Sequence, residues 1–167
     1  MTLAEAAAEA AVLAGAGKER ELANLRAQWD EEVEAAARNP DYRQRTVAFR
    51  AIGQFRFRQK IELLRRGLED DSPACRGSAL LSLDQLSTES PGVVNAVRPL
   101  LHELLTHDPN EAVRRLAVVA LRHGTGERAT VLILSSLAEN DEQPRELREA
   151  AAKIAALLTK KSRAAGR

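Results

Sequence analysis

Four arginines, Arg45, Arg76, Arg114 and Arg148, recur along the chain at separations of 31, 38 and 34 residues. Each is followed by small or aliphatic residues at helical spacing: Ala48 and Ile52 after the first, Ala79 and Leu83 after the second, Ala117 and Leu121 after the third, Ala151 and Ala155 after the fourth. A period of this length belongs to arrays of helical hairpins, in which each unit buries its apolar face only by stacking on its neighbours. That recurrence constrains the fold more than any other feature.

The clearest unit runs from Val97 to Leu121. It opens with an apolar stretch, Val97-Arg98-Pro99-Leu100-Leu101, and closes its first helix at Leu104-Leu105. A turn follows at Asp108-Pro109-Asn110, and the second helix opens on Val113-Arg114. Val113, Leu116, Ala117, Ala120 and Leu121 fall at i, i+3, i+4, i+7 and i+8, so they share one helical face. Asp108-Pro109-Asn110 and Asp71-Ser72-Pro73 supply an N-cap and a first-turn proline, which satisfy or remove the orphan N–H groups of a starting helix. Pro91-Gly92 and Gly124-Thr125-Gly126 separate successive hairpins. Hydrophobic residues make up 44% of the 167-residue chain but aromatics only 3%. The core is therefore Ala, Leu and Val, which suits close helix packing and argues against a β-sandwich.

The segment Val97–Leu121, with its proline, turn aspartate and Val-Arg pair, resembles the HEAT-repeat pattern. Asp41/Arg45, Asp71/Arg76 and Asp141/Arg148 carry the same pattern more loosely, with Gln44, Cys75 and Leu147 in place of the valine. The resemblance implies an all-α chain, an α-solenoid of about four hairpins at 19–54, 56–87, 91–123 and 127–160, within a repeat domain of 19–160. It also implies that Asp71, Asp108, Asp141, Arg76, Arg114 and Arg148 bond between neighbouring repeats. Leu22, Leu25, Trp29 and Val33 form one apolar stripe beside Asp30, Glu31, Glu32 and Glu34, which marks the first helix of the array as an N-terminal cap. Residues 1–18 are expected as an Ala-rich helix or tail, and residues 161–167 as a disordered basic tail.

Enzyme signatures are absent: the chain has no Gly-rich phosphate loop, Gly-x-Ser-x-Gly, His-Glu-x-x-His or Cys-x-x-Cys. His102, His107 and His123 include no i, i+4 pair, and Cys75 is the single cysteine, so neither a metal site nor a disulfide is expected. Cys75 reads as a small buried residue of a second helix. Some HEAT-like proteins are repair glycosylases, which use carboxylates and aromatics on a damaged nucleotide; that reading, or a lyase-like one, finds no residues here to carry it. No export signal or bilayer-length apolar run is read, and a cytoplasmic location is expected. No cofactor or small-molecule substrate is implied.

The expected function is a non-catalytic adaptor or scaffold that holds a partner protein, alone or within a larger complex, in the concave groove lined by second helices. Aligning those helices on their arginines places Arg50, Leu81, Val119 and Lys153 in one column. Thr46, Gly77, Arg115 and Glu149 fall in another, and Gly53, Asp84, Arg122 and Ala156 in a third. Partner contact is assigned to Arg50, Leu81, Arg115, Val119, Arg122 and Lys153, a set suited to apolar anchors with acidic flanks. The alternative is a nucleic-acid-binding module. Arg43 to Arg66 is dense in arginine with Glu62 as its only acid, and Arg56, Arg58, Lys60, Arg65 and Arg66 are its candidate phosphate contacts. The net charge of +1 and pI near 8.0 lie below the range of a dedicated nucleic-acid-binding domain.

Overall fold

The computed structural model describes residues 1–166. The described residues form ten α-helices and no strand: α1 Leu3–Gly15, α2 Glu19–Ala36, α3 Tyr42–Gln54, α4 Ile61–Leu68, α5 Pro73–Ser87, α6 Gly92–Ala96, α7 Arg98–His107, α8 Glu111–Ala120, α9 Arg128–Glu139 and α10 Arg145–Ala165. Short 3-10 turns occur at Arg58–Lys60 and Leu121–His123. Helices joined by short turns are the architecture of an α-solenoid. The chain divides into two compact units, Met1–Leu86 and Ser87–Arg167, the boundary falling near the end of α5.

In the first unit, α1 is a docked helix. Leu3, Ala6, Ala7 and Ala10 are buried at helical spacing, and α1 packs on α2 and α3. Its start is set by a capping box: the Glu5 N–H donates to Thr2 Oγ1 at 3.2 Å and the Thr2 N–H donates to Glu5 Oε2 at 2.7 Å. Gly17, in the left-handed region at φ 69°, turns the chain into α2. The stripe Leu22, Leu25, Trp29 and Val33 is buried. Phe55 and Phe57 are fully buried on either side of Arg56, with ring centroids 5.3 Å apart. Arg56 itself adopts φ 61°, unusual for a residue with a Cβ, and the reversal lets both rings turn inward between α3 and α4. Cys75 is buried in α5, where Thr46 Oγ1 lies 3.3 Å from its sulfur.

In the second unit, the first helix of the hairpin expected at 91–123 is broken. The chain forms α6 up to Ala96 and α7 from Arg98, with Val97 between them at φ −116°. Pro99 lacks an N–H and stands in the first turn of α7, where none is needed. Val94, Val97, Leu101 and Leu105 are buried below it. Asn110 caps α8 by accepting from the Val113 N–H at 3.1 Å. Val113, Ala117, Ala120 and Leu121 are buried as the helical period requires, together with Val118, whereas Leu116 is half-buried. Gly126 lies under α10, where a Cβ would come within 2.2 Å of the Leu158 carbonyl oxygen. No side chain larger than hydrogen fits there.

The expectation of a disordered tail from residue 161 is corrected over most of its length. α10 continues to Ala165, and the Lys161 Nζ donates to the carbonyls of Arg122 at 2.5 Å and Gly124 at 3.4 Å. The ammonium meets carbonyls at the end of the 3-10 turn, a favourable pairing at a helix C-terminus. Arg167 lies outside the described residues.

Candidate partner-binding surface

The second helices are held by one repeated device. In each turn an Asn or Asp accepts from the N–H two residues on: Asn39 from Asp41 at 2.8 Å, Asp70 from Ser72 at 2.9 Å, Asp108 from Asn110 at 2.9 Å and Asn140 from Glu142 at 3.0 Å. These are Asx turns. The repeat arginine then reaches back over the turn to a carbonyl, Arg45 to Asn39, Arg76 to Asp70 and Arg114 to Asp108, each six residues upstream. Arg148 reaches Gln143 instead, five residues upstream. The guanidinium thus satisfies carbonyls left over where the first helix ends.

Arg45 shows the device extended to the next repeat. Its Nε and Nη2 donate to the two Asp70 carboxylate oxygens at 2.9 and 3.0 Å, Nη2 also donates to Asp71 at 3.1 Å, and Nη1 donates to the Asn39 and Pro40 carbonyls. All five donors are engaged. The Asp70 hydrogen bonds hold the Arg45 guanidinium still more firmly charged. Burial works to raise the Asp70 pKa, but the Arg45 and Ser72 donors outweigh it and hold the carboxyl below its ordinary value. The inter-repeat carboxylate in the first unit is therefore Asp70. Asp71, which the sequence alignment favoured, has a side chain 94% exposed. Asp141 is also solvent-facing and lies 3.9 Å from Arg148 of its own repeat. The missed signal is the constant six-residue offset shared by Asn39/Arg45, Asp70/Arg76 and Asp108/Arg114.

Along α3 and α5 the contact is made by small residues. The Ser82 hydroxyl is fully buried; it accepts from the Gly53 N–H at 2.9 Å and lies 2.5 Å from the Phe49 carbonyl, to which it donates. It sits between a carbonyl and the N–H four residues on, the pair an α-helix normally joins directly. Gly53, expected in a groove column, is instead buried against Ser82. Thr46 is likewise half-buried on Cys75 rather than presented outward.

The partner-contact candidates on this unit are placed differently from each other. Arg50 is half-buried and donates to Gln85 Oε1 at 2.9 Å, and burial, with help from nearby Arg56, lowers its pKa. Leu81 is 42% exposed in the middle of α5, between buried Leu80 and Ser82. In the second unit, Arg115 on α8 is exposed and paired with Glu146 of α10 at 3.2 Å, both side chains facing solvent. Val119 is half-buried, Arg122 is exposed with its Nε donating to His123 Nε2 at 3.1 Å, and Lys153 is exposed on α10. Glu149, aligned with Arg115 by sequence, pairs with Arg145 instead.

The arginine-rich stretch does not form one surface. Lys60 is buried, with its Nζ 2.9 Å from Asp30 and 2.7 Å from Glu34 of α2 and its charge over the Phe57 ring at 4.9 Å. It ties α2 to the start of α4 and has no charge to offer a phosphate, which corrects its assignment to a nucleic-acid contact. Arg56 points back to the Gln85 carbonyl at 3.5 Å, and Arg65 lies 3.4 Å from Glu62. Arg58 and Arg66 are exposed.

A second polar cluster, unforeseen from sequence, surrounds Arg98, which is only 5% exposed. It donates to Thr130 Oγ1 at 2.7 Å, Thr125 Oγ1 at 2.9 Å and Asn95 Oδ1, and pairs with Glu127 at 3.1 Å. His102 Nε2 lies 2.9 Å from the same Thr130 hydroxyl. Burial, reinforced by Arg98, lowers the His102 pKa. Among the described residues no group of three or more His, Cys, Asp or Glu side chains could hold a metal ion, and no helix is long and apolar enough to cross a membrane.

Helical hairpins, stacked through small residues and stitched at their turns by an arginine, define the class as a helical-repeat protein. Residues 30–103 match the family model for HEAT repeats. The match spans less than half of the chain, and the segment it covers is similar to HEAT repeats. No curated protein matches the chain. HEAT repeats are commonly protein-interaction scaffolds, and the family is generally non-catalytic.

Proposed function

We propose that the protein is a non-catalytic adaptor or scaffold of the cytoplasm, binding a partner protein through the exposed faces of its second helices. Leu81 is the observation that carries this reading. α5 already buries Leu80, Leu83 and Leu86, so an additional leucine 42% exposed at mid-helix has no part in that core. Arg50 shares its aligned column, and α8 and α10 offer Arg115, Val119, Arg122 and Lys153. Within the first unit, the exposed leucine of α5 and the Arg50 cation of α3 suit a partner segment with apolar and acidic side chains, and within the second the cations of α8 and α10 suit acidic ones.

Capture from native lysate with tagged wild-type protein and with Leu81→Asp, each with and without nuclease, tests the proposal. A stoichiometric protein that survives nuclease and is lost with Leu81→Asp supports it. Recovery that depends on nucleic acid, or that is indifferent to Leu81, overturns it.

A further inference from the structure

A cleft of about 440 Å³ opens in the first unit between the α2–α3 turn and the α4–α5 turn, away from Leu81 in the chain and built from other elements. Phe49 lies at its lining, with Arg38, Arg45, Arg66, Asp70 and Asp71 around it. Three guanidinium groups therefore line the cleft with two carboxylates. Arg45 is spent, since its five donors are taken by Asp70, Asp71 and two carbonyls.

The other two arginines are not spent. Arg38 uses a single terminal nitrogen, Nη1, on the carbonyl and carboxylate of Glu34, and Glu34 divides its own charge between Arg38 and Lys60. Arg66 is exposed, and its guanidinium has no hydrogen bond or ion pair among the described residues. Glu62, one helical turn before Arg66, turns to Arg65 instead. The donors left unused at the lining, on Arg38 and Arg66, are guanidinium forks, which match a carboxylate in two parallel hydrogen bonds.

We propose that this cleft is a second interaction site, which takes the carboxylate of a glutamate or aspartate side chain from a protein partner between Arg38 and Arg66. Pro40, an exposed residue of the same lining, supplies apolar contact for the stem of that side chain. The site stands apart from the second-helix faces, so its failure leaves the scaffold reading untouched.

The test is a titration of the full chain, followed through the arginine Nε–H signals by NMR. The probe is a capped pentapeptide with one glutamate among alanines; the control is the same peptide with glutamine. The glutamate peptide is expected to shift the Arg38 and Arg66 signals while the glutamine peptide does not. Arg66→Gln is expected to weaken binding about fivefold, the range of an exposed ion pair, with backbone amide signals unchanged. Arg20→Gln, a change at an exposed arginine outside the cleft, is expected to leave the affinity as it is. Equal shifts with both peptides, or unchanged affinity in Arg66→Gln, would overturn the proposal. So would a thymidine pentanucleotide that shifts these two signals when the glutamate peptide does not.

Discussion

Asp70 and Asp71 are adjacent acids with different duties. Asp70 gives both oxygens to Arg45 with its side chain 9% exposed, whereas Asp71 offers one oxygen from a side chain 94% exposed. Charge-assisted bonds shielded from water contribute more than those in solvent. Asp70→Asn is therefore expected to destabilise the protein by about 2 kcal/mol, and Asp71→Asn by less than about 1 kcal/mol; denaturant melts of the two variants measure the difference. His102 gives a second expectation. His102 is part-buried with its Nε2 2.9 Å from the Thr130 hydroxyl that also accepts from Arg98, so burial first and the nearby guanidinium second disfavour a charged ring. The folded pKa lies below the unfolded value of about 6.5. As pH falls through that value the unfolded chain takes up the proton first, and stability drops until the lower folded pKa is passed. A series of melts between pH 7.5 and 5 is expected to show this loss for the wild type and a smaller one for His102→Gln. The repeat arginines were legible in the sequence. The main carboxylate partner of Arg45 was not, because the adjacent acids Asp70 and Asp71 differ only in which one the turn geometry directs inward.

Helix identity followed from local chemistry, while the contacts between helices followed from residues that leave no periodic mark. The stripe on α2 is a side-chain pattern within one segment, and the structure contains it there; α8 likewise starts at the Asp108-Pro109-Asn110 turn, capped by Asn110. The Thr2–Glu5 capping box is equally visible as Thr-x-x-Glu, ahead of the alanine-rich run that follows. Gly53 and Ser82 were harder to find, since a glycine and a serine on separate helices carry no common period. A Cβ on Gly53 would stand 2.7 Å from the Ser82 Cα, a backbone atom that cannot swing aside. Gly53→Ala is expected to force α3 from α5 at a cost of about 2 kcal/mol, read as a lowered denaturation midpoint with helicity retained. The basic stretch misled for a related reason. Charge counted along a sequence does not distinguish Lys60, buried on Asp30 and Glu34, from Arg66 in solvent.

The repeat architecture assigns most of the chain's apolar residues to the core and leaves a few exposed without a structural task. Leu81 is such a residue, and Arg115, Arg122 and Lys153 are solvent-facing on the second unit. The helical-repeat class was legible because a core repeated every few tens of residues writes its period into the chain. Partner identity is carried by single surface side chains, which the fold tolerates in many forms. The most direct measurement is the affinity of the captured partner for the wild type and for Arg115→Glu/Arg122→Glu by calorimetry, with circular dichroism on both. Binding abolished with helicity unchanged is the expected result. Affinity equal to wild type would contradict the claim that these helix faces engage the partner.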